Sequence, residues 1–155
     1  MAEQRSDQSL SSTAWSWSST YKVFGVQGCS VEGCPFHEAP KCTQFFCCAL
    51  NLSDALIQAG YTLPSAANVN KCAHLRVRNA DGMARICDVQ NGGKPDVSGW
   101  ANRPDWKGIV YFEGNLLLET GELAATGHID LWDGKQGVHQ TYPTADTIWF
   151  WRLSN

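Results

Sequence analysis

Apolar residues recur at three- and four-residue steps in one stretch of the first half of the chain, and at two-residue steps in its last third. Phe45, Ala49, Leu52, Leu56 and Ala59 share one face of a helix predicted over 44–59. Thr43 stands at its N-cap, Gly60 at the left-handed position after the last turn, and Pro64 just beyond. From Lys107 onward the period is two, which predicts strands over 108–112, 127–132 and 148–153. Within 127–132, Ile129 and Leu131 fall on one face, and His128 and Asp130 on the other. Asp133-Gly134 favours a type I′ turn and predicts a hairpin that returns over 135–139. With that dipeptide as the whole loop, Trp132 pairs with Lys135, Ile129 with Val138, and His128 with His139. Two imidazoles then face each other with Cβ atoms about 5 Å apart. Such a pair belongs either to a solvated polar face or to a site that holds a proton, a metal or a nucleophile.

The remaining segments are less regular. Residues 1–20 are rich in Ser and Gln and are expected to form a flexible or partly helical lead-in, with Trp15 and Trp17 as anchors on the domain. Gly25, Gly28, Gly33, Pro35 and Pro40 make 21–42 a loop. Short helices are expected around 71–74 and 82–88, with breaks at Gly92, Gly93, Pro95 and Pro104. A helix followed by consecutive strands is an α+β arrangement, expected to form a single domain over 21–155. The last strand, Ile148-Trp149-Phe150-Trp151, reads as covered on both faces, and its tryptophans as core.

Composition narrows the function. The chain has 155 residues, 43% of them hydrophobic, and a net charge of −3. Its pI is near 5.7 and no Lys/Arg cluster occurs, so a nucleic-acid role is not expected. No run approaches the roughly eighteen apolar residues of a membrane span. Residues 1–20 lack the apolar core of a secretory signal, so the protein is expected to stay in the cytosol or to leave by a route that uses no such signal.

Seven cysteines are dense for this length, and Cys29, Cys34, Cys42, Cys47 and Cys48 fall within twenty residues of one another. Disulfides are the favoured explanation, with at least one thiol left over because the number is odd. Zinc is the competitor, since Cys29, Cys34, His37, Cys42 and Cys47 offer ligands, although no Cys-x2-Cys occurs. His74 reads as a surface or packing residue. Cys47 and Cys48 lie in the first turn or so of the predicted helix, where its dipole and free N–H groups favour a thiolate. Cys48 shares a face with Leu52 and Ala55, whereas Cys47 lies about a hundred degrees round. An early helical cysteine, a later strand histidine and an orienting group on the adjacent strand form the order of papain-like cysteine peptidases.

Three stretches carry a family resemblance. Cys48-Ala49-Leu50-Asn51-Leu52-Ser53-Asp54-Ala55-Leu56 with Gly60-Tyr61, Lys107-Gly108-Ile109-Val110, and the block from Gly127 to Gly134 resemble, in order, the signatures of the type VI secretion amidase effectors, fourth amidase family. The resemblance implies a papain-like, NlpC-type fold, with a nucleophile helix packed on an antiparallel β-sheet. It implies a peptidoglycan amidase that cuts stem peptides between D-glutamate and meso-diaminopimelate. Such a toxin is made in the cytoplasm and delivered by the type VI apparatus to the periplasm of rival Gram-negative cells. A cognate immunity protein is the expected partner, and no cofactor, metal, nucleic acid or membrane is called for.

Carried over by position, Cys48 is the nucleophile and His128 the general base. The family's third member is an Asp in a Cys-x-Asp-x-Cys-Tyr stretch, which here reads Gly137-Val138-His139-Gln140-Thr141-Tyr142. His139 therefore takes the orienting role, with Asp130 and Asp133 as fallbacks. Two other functions fit the residues: a cysteine-rich zinc or disulfide module that binds another protein, and a papain-like acyltransferase or amidase acting on another peptide.

Overall fold

The computed structural model describes residues 14–25, 48–72 and 75–155. Cys29, Cys34, His37, Cys42, Thr43, Cys47 and His74 lie outside the described residues, and with them the proposed zinc cluster and the start of the 44–59 helix.

Three helices and one sheet make up the described fold: α1 (Trp17–Tyr21), α2 (Cys48–Gln58), α3 (Ala80–Gln90), and strands β1 (Val97–Ser98), β2 (Gly108–Leu117), β3 (Leu123–Trp132) and β4 (Thr147–Arg152). The strand order is β1-β4-β2-β3 with every neighbouring pair antiparallel, so β3 lies at an edge. The α+β expectation holds. The strands expected over 108–112, 127–132 and 148–153 and the 82–88 helix are present, most of them longer than their apolar patterns, whereas the strand expected to return over 135–139 is reduced to a single bridge from Gly137 to Trp132.

Two-residue alternation gives the sheet two different faces. Ile109, Tyr111, Ile129, Leu131 and Trp151 pack with Leu52 and Leu56 of α2 and with Met83, Ile86 and Cys87 of α3. Val110, Phe112, Trp132, Ile148 and Phe150 pack on the opposite side beneath Tyr142, Trp100 and Trp106. Leu52 and Leu56 are fully buried, which favours folding by about 1.5–3 kcal/mol each. The Trp151 indole donates to Asp88 Oδ1 at 3.0 Å, so it serves the core as expected.

Helix α2 ends where Gly60 adopts φ 99°. There Gly60 N–H donates to Ile57 O at 3.0 Å and Tyr61 N–H to Leu56 O at 3.1 Å, the paired bonds of a Schellman stop. Trp15 and Trp17 are buried, and the chain between them is tied to the far end by Trp17 N–H to Ser154 O (2.7 Å) and Ser154 N–H to Trp15 O (2.9 Å).

Of the helix expected around 71–74, only Lys71 and Cys72 are among the described residues, and Lys71 forms an antiparallel bridge with Val77. The polar side of α2 holds the returning side of this bridge. Buried Ser53 Oγ accepts from Val77 N–H at 2.8 Å, and buried Asp54 Oδ1 accepts from Arg76 Nε at 2.9 Å. These tertiary bonds outweigh a weak local preference.

Candidate active site

His128 and Asp130 are two residues apart on edge strand β3 and therefore point to the same face. His128 Nε2 meets Asp130 Oδ2 at 2.9 Å. Asp130 is fully buried, a costly place for a carboxylate unless donors surround it. Its Oδ2 also accepts from the backbone N–H of His139 (2.8 Å) and Gln140 (3.0 Å), and its Oδ1 from Leu131 N–H (2.8 Å). The loop that presents those amides passes so close that a Cβ on Gly137 would lie 2.2 Å from Gln140 O. Only glycine fits there.

The hairpin register differs from the expected one. Trp132 bridges Gly137, Val138 N–H donates to Leu131 O at 2.9 Å, and Asp133 N–H donates to Gln136 O at 3.0 Å. The loop is thus Gly134-Lys135, and Asp133 precedes it. Asp133 Oδ1 accepts from Lys135 N–H (2.8 Å) and Gln136 N–H (2.9 Å), a side-chain turn that moves the loop one residue along. Sliding the loop by one residue moves each cross-strand partner by two. His139 therefore comes across from Asp130 and not from His128, whose strand partner is Phe112. The expected pair of imidazoles is not formed. The His139 ring stacks on Phe24 with centroids 4.7 Å apart, and its Nδ1 stands 3.9 Å from Asp130 Oδ1. Of the two fallback acids, Asp130 meets the His128 ring, while Asp133 is occupied by its turn.

Cys48 is the first described residue of α2 and is buried with the helix-side core. His128 lies against Phe112 and Tyr142 of the opposite core, with centroids 6.1 and 5.6 Å away. The Cys48 side chain nevertheless acts on the His128 ring, through hydrogen bonding and charge that both favour its protonated form. With Nε2 engaged by Asp130, Nδ1 is the nitrogen left for the sulfur. Burial pushes the His128 pKa down, but the hydrogen bonds to Asp130 and Cys48 and the negative charges of both outweigh it, raising the value to about 9. Burial and the same two negative charges push the Tyr142 hydroxyl up, so it stays protonated over the ring.

Cys72 and Cys87 are also buried and free. Burial foremost, and then Asp88, push the Cys87 thiol well above its ordinary range, which suits an inert packing residue. Among the described residues no group of three or more His, Cys, Asp or Glu could hold a metal ion.

A cleft of about 590 Å³ opens beside Cys48, lined by Arg78, Asp81 and Arg85 from around the start of α3 and by Tyr111 and Glu113 of β2. Sequence reasoning missed it. Its residues come from separate elements, and each is an ordinary charged or aromatic side chain with no pattern of its own.

Fold and site together define an α+β protein with a cysteine, a histidine and a buried aspartate meeting at the open edge of its sheet. The family model "Type VI secretion system (T6SS), amidase effector protein 4", Tae4, matches residues 47–151, and the chain belongs to that family. It is thus an amidase effector, hence a hydrolase, of the type VI route, as the motif resemblance implied. No curated protein matches the chain by sequence. Among solved structures, Tae4 of Enterobacter cloacae in complex with Tai4 is 21% identical, with a TM-score of 0.55, covering 87% of this chain and 89% of that one. The same protein without Tai4 is 22% identical at TM-score 0.56, covering 86% of each chain. Tae4 of Salmonella Typhimurium, likewise a Tae4–Tai4 effector–immunity complex, is 18% identical at TM-score 0.56, covering 88% and 89%. These three likenesses show the fold.

Proposed function

We propose that the protein is a papain-like, NlpC-type cysteine amidase that cleaves the D-glutamyl–meso-diaminopimelate bond of peptidoglycan stem peptides. Its place of action is the periplasm of rival Gram-negative bacteria, and a cognate immunity protein protects the producer. The observation that carries this proposal is the contact of Cys48 with the His128 imidazole, whose other nitrogen is held by buried Asp130. An imidazolium beside a thiol favours the thiolate, which is the nucleophile.

In the proposed reaction the Cys48 proton resides on His128, and the Cys48 sulfur attacks the γ-carbonyl of D-glutamate. The oxyanion that forms is met by backbone N–H groups, that of Cys48 among them. His128 then gives its proton to the departing diaminopimelate nitrogen, the C–N bond breaks, and a thioester remains. Water attacks the thioester, with His128 taking its proton as base and returning one to the sulfur. Asp130 holds the ring in place and balances its charge, and the backbone N–H of His139 helps to hold Asp130. His139 thus acts through its main chain, where sequence alone suggested its side chain.

Digestion of Gram-negative sacculi with the wild type and Cys48→Ala, with fragments weighed by mass spectrometry, tests both reaction and bond. The expected products end in D-glutamate on one side and begin with a free diaminopimelate amine on the other, from the wild type alone. Release of stem peptides by Cys48→Ala, or cleavage at another bond, overturns the proposal.

A further inference from the structure

A second cleft, of about 580 Å³, lies where α1, the start of β2 and the end of β4 come together. Lys22, Lys107 and Arg152 line it, all three exposed, and among the described residues no Asp or Glu side chain does. None of the three cations has an ion-pair partner among the described residues. The chain as a whole carries a charge of −3, so the sign is locally reversed here. Two of the cations are held by aromatic rings. Lys107 Nζ lies 5.4 Å from the centre of the Trp17 ring, and the Arg152 guanidinium 5.8 Å from that of Trp106. Arg152 is the strand partner of Gly108, next to Lys107, so the sheet register itself sets those two residues side by side. Tyr21 stacks on Trp17 with centroids 5.1 Å apart and is 51% exposed, which leaves ring surface open at the rim.

Gathering three like charges without a counter-charge costs stability, and an anion in the cleft would offset that cost. Holding two of them against rings removes part of the freedom that a long cation otherwise loses on binding. The volume falls in the roughly 300–1,000 Å³ range of ligand pockets, and such a concavity suits an extended chain or a sugar better than the flat face of a folded partner. Lys107 stands five residues before Phe112, the strand partner of His128, so the cleft lies about 17 Å along the sheet from the His128 row. A single stem bound at Cys48 does not extend that far, whereas a strand bearing successive stems is long enough to occupy both places. Stem peptides carry more carboxylates than amines, so such a strand is a polyanion with sugar rings between its charges. We propose that this cleft is a second binding site for the peptidoglycan strand, with carboxylates of a neighbouring stem on Lys22, Lys107 and Arg152 and a sugar ring against Tyr21. The inference rests on the stem-peptide amidase proposed above and adds how the polymer is held while one stem is cut. Two linked contacts on one polymer reinforce each other without any new contact at the site of cleavage.

Binding is read by co-sedimentation of the full chain carrying Cys48→Ala with Gram-negative sacculi, before and after the sacculus carboxylates are converted to neutral amides. This parent is compared with the same chain carrying Lys22→Gln, Lys107→Gln and Arg152→Gln together, with thermal melting as a check on folding. Loss of the three charges is expected to weaken binding to untreated sacculi by about tenfold. Amidation, like raised salt, is expected to weaken the parent by a similar factor and to leave the triple variant unchanged. With Cys48 restored, the triple variant is expected to lose about tenfold in kcat/KM on sacculi, through KM, and less than about twofold on a single soluble stem too short to reach the cleft. A merely structural role would lower both substrates together. Should the triple variant melt early, Arg152→Gln alone, which keeps the backbone N–H that Asp96 accepts, is read by the same ratio of substrates. Equal binding by parent and variant, an equal loss on both substrates, or indifference of the parent to amidation overturns the second site and leaves the amidase standing. Sacculus binding that depends on the three cations, in a wild type that cuts no stem, overturns the amidase and keeps the site.

Discussion

Cys48 is the first described residue of α2 and Cys87 lies in the second half of α3, and both side chains are buried in the core on one face of the sheet. Around Cys87 are apolar neighbours and the acidic Asp88, which together hold its thiol in the neutral form. Around Cys48 are a histidine carrying a proton and, through it, a carboxylate with four hydrogen-bond contacts. Burial is nearly the same in the two places, at 9% and 2% exposed. What differs is whether a buried polar network reaches the sulfur. A buried thiol is a small hydrophobe by default and becomes a nucleophile through its company.

The largest expected effect separates the two cysteines directly. Cys48→Ala is expected to lower amidase activity on sacculi by at least about a thousandfold, as loss of a covalent nucleophile does. Cys87→Ala is expected to retain activity within a few-fold and to lose about 1 kcal/mol or so of stability in urea titrations. Comparable activity loss in both would break the distinction.

Within the network, Asp130→Asn is expected to reduce kcat/KM by about a hundredfold to ten-thousandfold, because the neutral amide no longer balances the imidazolium and favours the wrong tautomer. His139→Ala keeps the backbone N–H that Asp130 uses and is expected to cost less than about tenfold. The reverse ranking would return the orienting role to the His139 side chain.

Iodoacetamide gives a smaller but cleaner contrast. At neutral pH the native protein is expected to be alkylated at Cys48 more than about tenfold faster than at Cys87, read by peptide mapping over time. Substituting His128→Ala should narrow that gap. An equal rate at both thiols would show that the His128 contact does not activate Cys48.

The smallest effect is on stability and has a defined direction. The folded protein raises the His128 pKa from 6.5 to about 9, so folding is coupled to proton binding. The stabilisation is complete below about pH 6.5 and is lost as pH rises through about 9. Denaturant midpoints of the wild type and His128→Gln should therefore converge between these values as pH increases. A gap that widened toward pH 9 would contradict the network described here.

Much of this architecture was readable along the chain. The spacing of Leu52, Leu56 and Ala59, the stop at Gly60 and the alternation through 127–132 depend on residues within a turn or a pleat of each other. His128 and Asp130 were on one strand face for the same reason. The hairpin partner was not readable, because Asp133-Gly134 allows two loops one residue apart, and hydrogen bonds from Lys135 and Gln136 to Asp133 decide between them. Lys71 lay in a stretch with a weak helical pattern, yet it bridges Val77, whose N–H Ser53 holds from another helix.

By itself, then, the sequence determined the element types, the faces of the strands, and which cysteine and histidine carry the family's motifs, since all of these are local periodicity and local chemistry. Tertiary structure decided that Asp130, and not the His139 ring, meets His128. It also decided that Arg78, Asp81, Arg85 and Glu113 share one cleft beside Cys48. The physical reason is distance along the chain: these groups meet only after α2, α3 and the sheet have packed, and no short-range pattern records where such packing will bring a charge.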